Sequence, residues 1–300
     1  MDLNSTYGYN YKDPMTAIAA FFMFCNGIFG TLTNGSILCS FFSDPLARTS
    51  FNLLCCVRAL SNLYILMFIF GVVCLPIVIL GHTIFHPFTE TVITLIGINF
   101  YLVNNYLTIV IALNRFAALY CPLNYAKICN LKFTIFIVLV LIGLRFSWFA
   151  EELMVMIKSD CSVTFNASVL TWVSSETCTG LKVDSETFSF SLIFLVVFSL
   201  NISIIIKIYK LHKSHNIRGQ RMRKNIRLFF QTCFQDSLFL IDVLFTFQLS
   251  SLSISRVWTL ICGTIVWMLI HSLDGFIMLL FNDRIFKKKH TQQTAATAIT

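Results

Sequence analysis

The sequence predicts an all-α membrane protein, a seven-transmembrane helix bundle that forms a single domain over residues 1–300. Hydrophobic residues make up 57% of the chain and charged residues only 12%, whereas soluble domains carry about 25% charged residues. A membrane-spanning helix needs about 20 predominantly apolar residues, and the chain contains seven runs of at least that length. These runs cover residues 17–41, 51–80, 91–117, 133–157, 186–209, 228–252 and 258–281.

The length of the runs favours helices over barrel strands. Barrel strands are segments of about 10 residues with alternating polarity, while these runs are longer and continuously apolar. Only a helix satisfies all backbone hydrogen bonds within one such run. The connectors are short, and no internal repeat of the inverted kind found in many transporters is evident.

The basic residues predict the orientation of the bundle. If the connectors after helices 1, 3 and 5 and the tail share one side, that side holds 16 Lys and Arg residues and the other side four. Basic loops stay cytoplasmic, so we expect residues 1–16 outside and the tail 282–300 in the cytoplasm. Because the basic groups flank membrane spans, they indicate contact with the lipid bilayer and argue against a nucleic-acid partner.

Two sequons fall in connectors that this orientation places outside, at Asn4 and Asn166. Both are candidates for N-glycosylation. Cys161 and Cys178 share the long outer loop, where oxidation is allowed, and are the candidate disulfide, with Cys74 as the rival partner. No cysteine pair has zinc-ligand spacing, so neither a metal nor another cofactor is expected.

Several polar side chains lie within the predicted spans, where a charge costs about 2.5–3.5 kcal/mol on insertion scales. We therefore expect them to face the bundle interior, and His271 and Asp274, three residues apart, share one helical face. They act either as interhelical hydrogen-bonding contacts, at about 0.6 kcal/mol on average, or as a switchable polar core. The set is Asn34, Arg58, Asn62, Asn104, Arg145, Asp236, Asp242, His271 and Asp274, with Gln231 and Gln235 on the same stripe of helix 6 as Asp242.

The end of the third run carries a motif that packing alone does not explain. Asn114-Arg115-Phe116 is followed by Pro122-Leu123 and then Tyr125. It resembles the inner end of helix 3 in rhodopsin-like G-protein-coupled receptors, where an acid-Arg-aromatic triplet precedes Pro-Leu-x-Tyr.

A narrower resemblance covers residues 20–289. The Asn-Arg-Phe triplet, the segment 225–231 and the segment 271–275 continuing to Asn282 together resemble the nematode serpentine chemoreceptors of class X. The resemblance implies a plasma-membrane receptor of sensory-neuron cilia that detects a small environmental ligand. It also implies coupling to a heterotrimeric G protein through opening of the cytoplasmic ends of helices 3 and 6.

The resemblance assigns the polar residues to three roles. The residues expected to couple to the G protein are Asn114, Arg115, Phe116, Pro122, Tyr125, Arg223, Lys224 and Arg227. The expected polar-core switch, in which Arg58 is the candidate partner of Asp274, consists of Asn34, Arg58, Asn62, Asn104, His271, Asp274 and Asn282. The expected ligand pocket is Tyr101, Asp242, Gln248 and Trp267.

The chain departs from the wider receptor pattern at several positions. Asn114 replaces the acid beside the arginine, Gly275 stands where the helix 7 proline would be, and Met278 stands where its tyrosine would be. No cysteine opens helix 3; Glu90 is near that level, so the usual disulfide to the outer loop cannot form. Gly97 occupies the place where amine receptors carry their acid, which argues against a biogenic amine as ligand.

Three other classes of protein remain open. A neuropeptide receptor would have the same fold and coupling and would respond to amidated peptides. A transporter or channel would show ligand-independent flux or current. An enzyme would need a converging nucleophile, base or metal set, which the sequence does not offer.

Overall fold

The computed structural model describes residues 13–178, 183–213 and 220–281. Within them, seven helices are long and apolar enough to cross a membrane, which confirms the predicted seven-helix bundle. They are α1 Pro14–Ser43, α2 Ser50–Leu80, α3 Pro87–Tyr120, α4 Leu131–Ser159, α5 Val183–Lys213, α6 and α7 Arg256–Leu280. Helix α6 comprises the α-helix Gln220–Val243 and two short turns that follow it, Leu244–Leu249 and Ser250–Leu252.

Every helix begins before the apolar run that predicted it. Helix α1, for example, begins at Pro14 because the Asp13 side chain accepts a hydrogen bond from the Met15 N–H, and α4 begins after a similar cap by Asn130. Such caps satisfy backbone donors that the helix itself leaves unpaired. The capping residue and the polar residues of the first turn do not belong to the apolar run. A helix start that is predicted from that run is therefore too late in the sequence.

Helix α3 is the centre of the bundle and packs against α2, α4, α5 and α6. Helices α1 and α7 approach each other closely at two glycines. A Cβ atom on Gly30 would clash with the Ser272 side chain, and one on Gly275 would clash with the Asn34 amide. The missing side chains therefore allow Asn34 to reach the backbone of α7.

Three helices contain wide π-helical turns in the same half of the bundle, namely Ile65–Cys74 in α2, Leu244–Leu249 in α6 and Ile261–Ile265 in α7. Wide turns of this kind occur often at functional sites. The segment in α2 is followed by Pro76, which has no backbone N–H to donate. This half of the bundle therefore departs from regular α-helical winding.

The connector between α4 and α5 forms an antiparallel hairpin of β1 Val163–Asn166 and β2 Thr171–Ser174. A disulfide between Cys161 and Cys178 joins the two ends of the hairpin. Cys74, the other partner considered, is a buried free thiol in α2. We call the end of the bundle that the hairpin covers the hairpin end, and the opposite end, where α3 carries Arg115, the arginine end.

The hairpin is attached to α3 through hydrogen bonds. The Glu90 carboxylate, fully buried, accepts one from the Phe165 N–H and one of 2.8 Å from the Thr83 hydroxyl. The next residue, Thr91, accepts a 3.0 Å hydrogen bond from the Val163 N–H. Glu90 thus connects α3 to the hairpin by a hydrogen bond, near the position where the wider receptor group has the cysteine of a disulfide to this loop.

The turn of the hairpin is attached to α7. The Thr264 hydroxyl donates to the Leu170 carbonyl at 2.8 Å, and the Thr259 hydroxyl donates to the Val169 carbonyl at 3.0 Å. Leu170 has a φ of 57° and is fully buried. The hairpin is therefore anchored at both sides of the bundle end that it covers.

Candidate functional site

Polar side chains from five helices meet in the middle of the bundle around Asp274. Three donors surround its carboxylate: Arg58 Nε at 2.9 Å and Asn62 Nδ2 at 2.7 Å contact Oδ2, and Gln235 Nε2 at 2.7 Å contacts Oδ1. The charge of Asp274 is thus neutralised by Arg58 of α2, and its carboxylate accepts a further hydrogen bond from α6. We call this group the polar core; it consists of Asn34, Arg58, Asn62, Asn104, Thr108, Gln235, His271 and Asp274.

Asn62 connects the remaining members of the polar core. Its Nδ2 also lies 3.1 Å from Asn34 Oδ1, and its Oδ1 accepts a 3.0 Å hydrogen bond from Asn104 Nδ2. The same Oδ1 lies 2.8 Å from His271 Nδ1. Because an amide oxygen only accepts, His271 Nδ1 carries the proton in this network, and its Nε2 is an acceptor.

The structure brings six of the seven sequence-assigned core residues together. Asn282 lies outside the described residues. Sequence reasoning missed Thr108, which accepts a 3.4 Å hydrogen bond from Arg58 Nη1, and it did not assign Gln235 to the core. Gln235 was detectable, since it lies on the polar stripe of helix 6 that also contains Gln231.

At the arginine end, Arg115 is buried although no acid neutralises it among the described residues. Its Cζ atom lies 3.4 Å from the centre of the Phe51 ring, and the residue is 3% exposed. An aromatic face attracts a guanidinium, but Nε and Nη2 have no hydrogen-bond partner within the described part of the chain. The side chain points toward α2, with two donors unsatisfied.

Asn114 contacts other elements and not its neighbour Arg115. Its Nδ2 donates to Ser50 Oγ at 2.9 Å, and its Oδ1 accepts from the Tyr125 hydroxyl at 3.1 Å. Ser50 Oγ in turn lies 2.7 Å from Thr134 Oγ1 on α4. The motif therefore joins α2, α3, α4 and the one-turn helix that begins at Tyr125.

The other residues assigned to coupling differ in exposure. Phe116 stacks on Tyr120 with ring centroids 4.2 Å apart, while Pro122 and Arg223 are exposed. Arg227 on α6 donates to the Phe281 carbonyl at the end of α7. The side chain of Lys224 lies outside the described residues.

A half-buried thiol also lies at this end. Burial raises the pKa of Cys129, in the connector between α3 and α4, above its ordinary value, and the nearby Arg115 charge opposes that rise. Its thiolate form is therefore disfavoured at neutral pH.

Three of the four residues predicted to form a ligand pocket lie together near the hairpin end. The Tyr101 hydroxyl donates to Asp242 Oδ2 at 2.6 Å, and the ring centroids of Tyr101 and Trp267 are 6.3 Å apart. Gln248 is exposed and does not join them. Gln248 lies six residues after Asp242, within the π-helical turn Leu244–Leu249, and its place in the ligand site stays a prediction.

A separate open groove of about 570 Å³ lies at the base of the hairpin, between the start of α3 and the end of α4. His86, Phe88, Met156 and Asp160 are among the residues that line it. None of the predicted pocket residues does so.

No group of three or more His, Cys, Asp or Glu side chains is arranged to hold a metal ion in residues 13–178, 183–213 and 220–281. Of the two sequons, Asn4 lies outside the described residues. Asn166 lies in β1, half-buried, and its Oδ1 accepts a 2.8 Å hydrogen bond from the Ser168 N–H.

Comparisons with known proteins agree on one group. Residues 24–282 match the family model described as serpentine type 7TM GPCR chemoreceptor Srx. Serpentine receptor class X 45 from Caenorhabditis elegans is 27% identical over 210 residues, an alignment that covers 61% of this chain and 56% of that relative. The chain therefore spans about half the length of this curated relative.

The fold is similar to the crystal structure of squid rhodopsin. The TM-score is 0.71 at 14% sequence identity, over 95% of this chain and 87% of that chain. At this identity the likeness concerns the fold alone.

Proposed function

Because this chain belongs to the serpentine type 7TM GPCR chemoreceptor Srx family, we propose that it is a G-protein-coupled chemosensory receptor of the plasma membrane. Its ligand is a small environmental molecule, and its partner inside the cell is a heterotrimeric G protein. Sensory-neuron cilia are the proposed location. The hairpin that covers one end of the bundle favours a small ligand over a peptide.

The proposed orientation places the arginine end in the cytoplasm and the hairpin end outside. It is supported by the excess of basic residues in the connectors at the arginine end. It also places Asn166 and the Cys161–Cys178 disulfide in the compartment where glycosylation and oxidation occur. Endoglycosidase treatment of the wild type and of Asn166→Gln tests it, since a glycan at this sequon requires the hairpin to be outside.

The observation that carries the proposal is the state of Arg115. A guanidinium buried on an aromatic ring, with Nε and Nη2 unsatisfied, is costly to keep. Carbonyl or carboxylate groups of a G-protein subunit would satisfy those donors once the cytoplasmic ends of α3 and α6 part. Arg115 is therefore the proposed contact with the transducer, and the closed bundle is the proposed resting state.

Two contacts hold α6 against α7 in this closed state. Gln235 donates to Asp274 in the polar core, and Arg227 donates to the Phe281 carbonyl at the cytoplasmic end. Movement of α6 away from the bundle has to break both. Asp274 retains Arg58 and Asn62 when Gln235 leaves, so its carboxylate stays neutralised in both proposed states.

A continuous set of contacts joins the proposed ligand pocket to this switch. The Trp267 and His271 ring centroids are 6.0 Å apart, His271 Nδ1 contacts Asn62, and Asn62 contacts Asp274. A ligand that moves Trp267 would thus act on the group that holds α6. Such a path needs a coupling measurement, for which a double-mutant cycle between Trp267→Phe and Gln235→Leu in ligand potency is suited.

The deciding experiment is expression of the full chain in a G-protein reporter cell screened with volatile, small polar and peptide pools. We expect a response to a small molecule that Arg115→Ala abolishes while surface expression persists. Arg48→Ala is the matched control, since Arg48 lies at the same end but is exposed. Normal signalling by a well-expressed Arg115→Ala variant contradicts the proposal.

The peptide pools of this screen test one alternative, since a response confined to amidated peptides indicates a neuropeptide receptor. A separate recording in oocytes tests the other, since ligand-independent current indicates a channel or transporter.

A further inference from the structure

We propose that Tyr101, Asp242, Trp267 and His271 form a site that binds a small organic ammonium ion, with Asp242 as its counter-ion. The inference rests on the proposed function, because it assumes that these residues belong to the ligand site. It adds the chemical class of the ligand.

Asp242 is a buried carboxylate without a positive partner. It is 1% exposed, and no Lys, Arg or His nitrogen lies within 4 Å of it in the described part of the chain. Its Oδ2 accepts the Tyr101 hydroxyl at 2.6 Å, a length typical of hydrogen bonds to an ionised carboxylate. Its Oδ1 has only a 3.4 Å contact with the Thr246 hydroxyl, so this oxygen lacks a short hydrogen bond among the described residues.

The other buried acids are satisfied by the protein itself. Asp274 is paired with Arg58, and Glu90 accepts hydrogen bonds from the Phe165 N–H of the hairpin and from the Thr83 hydroxyl. Asp242 has neither an ion pair nor a backbone donor among the described contacts. A buried charge is stabilised by a cation or by donors, so a cationic ligand would supply what this site lacks.

The surroundings of Asp242 suit an organic cation. The Tyr101 ring centroid lies 6.3 Å from that of Trp267, 6.0 Å from that of Phe190 and 6.0 Å from that of His271. Aromatic faces attract ammonium groups, most strongly where water is excluded. The carboxylate bonded to Tyr101, together with the rings around Tyr101, therefore favours a cation with an apolar substituent over an anion.

His271 offers a second acceptor to the same ligand. Its Nδ1 is engaged with Asn62, and its Nε2 is buried without a partner among the described residues. His271 Nε2 is therefore the second acceptor that we assign to the ligand, either for another N–H of its ammonium group or for a donor on its substituent. Binding at His271 would also place the ligand directly on the polar core.

The position of the acid changes the expectation drawn from Gly97. A Cβ atom at Gly97 would clash with the Ile69 side chain of α2, so α3 has no room for an acid at this level. The structure instead supplies the acid from α6, opposite Tyr101 of α3. The absence of an acid at Gly97 therefore does not exclude an amine ligand in this arrangement.

The test measures binding to the purified full chain in lipid nanodiscs through its melting temperature. The probes are primary alkylamines and arylalkylamines of two to ten carbons, each paired with the alcohol and the carboxylate of the same skeleton. We expect at least one amine to raise the melting temperature by several degrees at a concentration where its alcohol and carboxylate do not. The shift should disappear in Asp242→Asn and persist in Asp236→Asn, another acid of α6.

A second variant guards against misfolding of Asp242→Asn. Tyr101→Phe removes the hydroxyl that competes for the carboxylate, so the amine should reach its half-maximal shift at a severalfold lower concentration. A purely structural role of the Tyr101–Asp242 hydrogen bond predicts no such gain. The inference is overturned if no amine exceeds its alcohol, or if Asp242→Asn keeps the shift.

Failure of this inference differs from failure of the proposed function. Reporter responses to neutral ligands that depend on Arg115 but not on Asp242 reject the ammonium site and leave the receptor function intact. Amine binding that depends on Asp242, without any Arg115-dependent signal, retains the site and rejects the receptor function.

Discussion

Arg58 and Asp274 form a 2.9 Å ion pair between α2 and α7, with side chains that are only 8% and 3% exposed. A buried pair of this kind gains its stability from mutual neutralisation and full hydrogen bonding, and loss of one partner leaves a bare charge. Asn62 and Gln235 complete the hydrogen bonding of the Asp274 carboxylate from α2 and α6.

Removing both partners of this pair should therefore cost less than the two single losses added together. We expect Arg58→Met or Asp274→Asn to destabilise the protein by about 3–5 kcal/mol, and the double variant to lose less than the sum. Thermal unfolding of the purified protein measures this. Arg145→Met is the control, because its partner Glu152 is partly exposed and the expected loss is about 1 kcal/mol or less. Additive losses at Arg58 and Asp274 contradict the prediction.

Gln235→Leu should raise basal signalling. The substitution removes the hydrogen bond from α6 to Asp274 and replaces the amide by an apolar side chain of similar size. Arg58 still neutralises the carboxylate. A loss of about 1 kcal/mol from the closed state would increase the open population about fivefold. Basal reporter output per surface receptor is the measurement, with the exposed Gln248→Leu as control. Unchanged basal output at normal expression argues against a switch at Asp274.

Glu90→Ala should loosen the hairpin without unfolding the bundle. It leaves the buried Phe165 N–H without its acceptor, at a cost of about 1–3 kcal/mol. Hydrogen exchange at Phe165 should become faster, while Glu90→Gln, which keeps an acceptor oxygen, should have a smaller effect. Thr83→Ala is the control, since it removes a contact to Glu90 without touching the hairpin. Equal exchange in all three variants refutes this role.

Alkylation of Cys129 should depend on the charge of Arg115. The thiolate is the reactive form, and burial raises the pKa of Cys129 while Arg115 lowers it. Arg115→Met keeps a side chain on Phe51 but removes the charge, so the pKa should rise and the rate profile should move to higher pH. Site-resolved mass spectrometry after iodoacetamide pulses measures this, with exposed Cys121 as the internal control. A shift to lower pH would mean that Arg115 does not act on Cys129 through its charge.

The seven-helix bundle was predictable from sequence, because each membrane-spanning helix needs a continuous apolar segment of about 20 residues that is visible in the local sequence. The helix starts were not, since caps such as Asp13 and Asn130 are polar and lie outside the apolar signal. The Arg58–Asp274 pair was also within reach, because two opposite charges inside a membrane need a partner.

The partners of other side chains depend on packing that one sequence does not reveal. Asn114 forms hydrogen bonds with Ser50 and Tyr125. The motif alone showed only that Asn114 replaces the acid beside Arg115. The sequence showed that Glu90 lies near the level where the wider receptor group has a cysteine. Its hydrogen bond with Phe165 could not be predicted, because it depends on the register of the hairpin. Gln248 is exposed whereas Asp242 is buried, and one sequence does not reveal this difference because the turn that contains Gln248 is π-helical.

The attachment of the hairpin has a kinetic consequence. The disulfide closes the loop on itself, whereas its links to α3 and α7 include hydrogen bonds accepted by Glu90 and Thr91 and hydrogen bonds donated by Arg256, Thr259 and Thr264. Release of the hairpin from either helix therefore breaks no covalent bond. The dwell time of a ligand beneath the hairpin, and with it the speed at which the proposed signal ends, would then depend on how often these side chains release the loop.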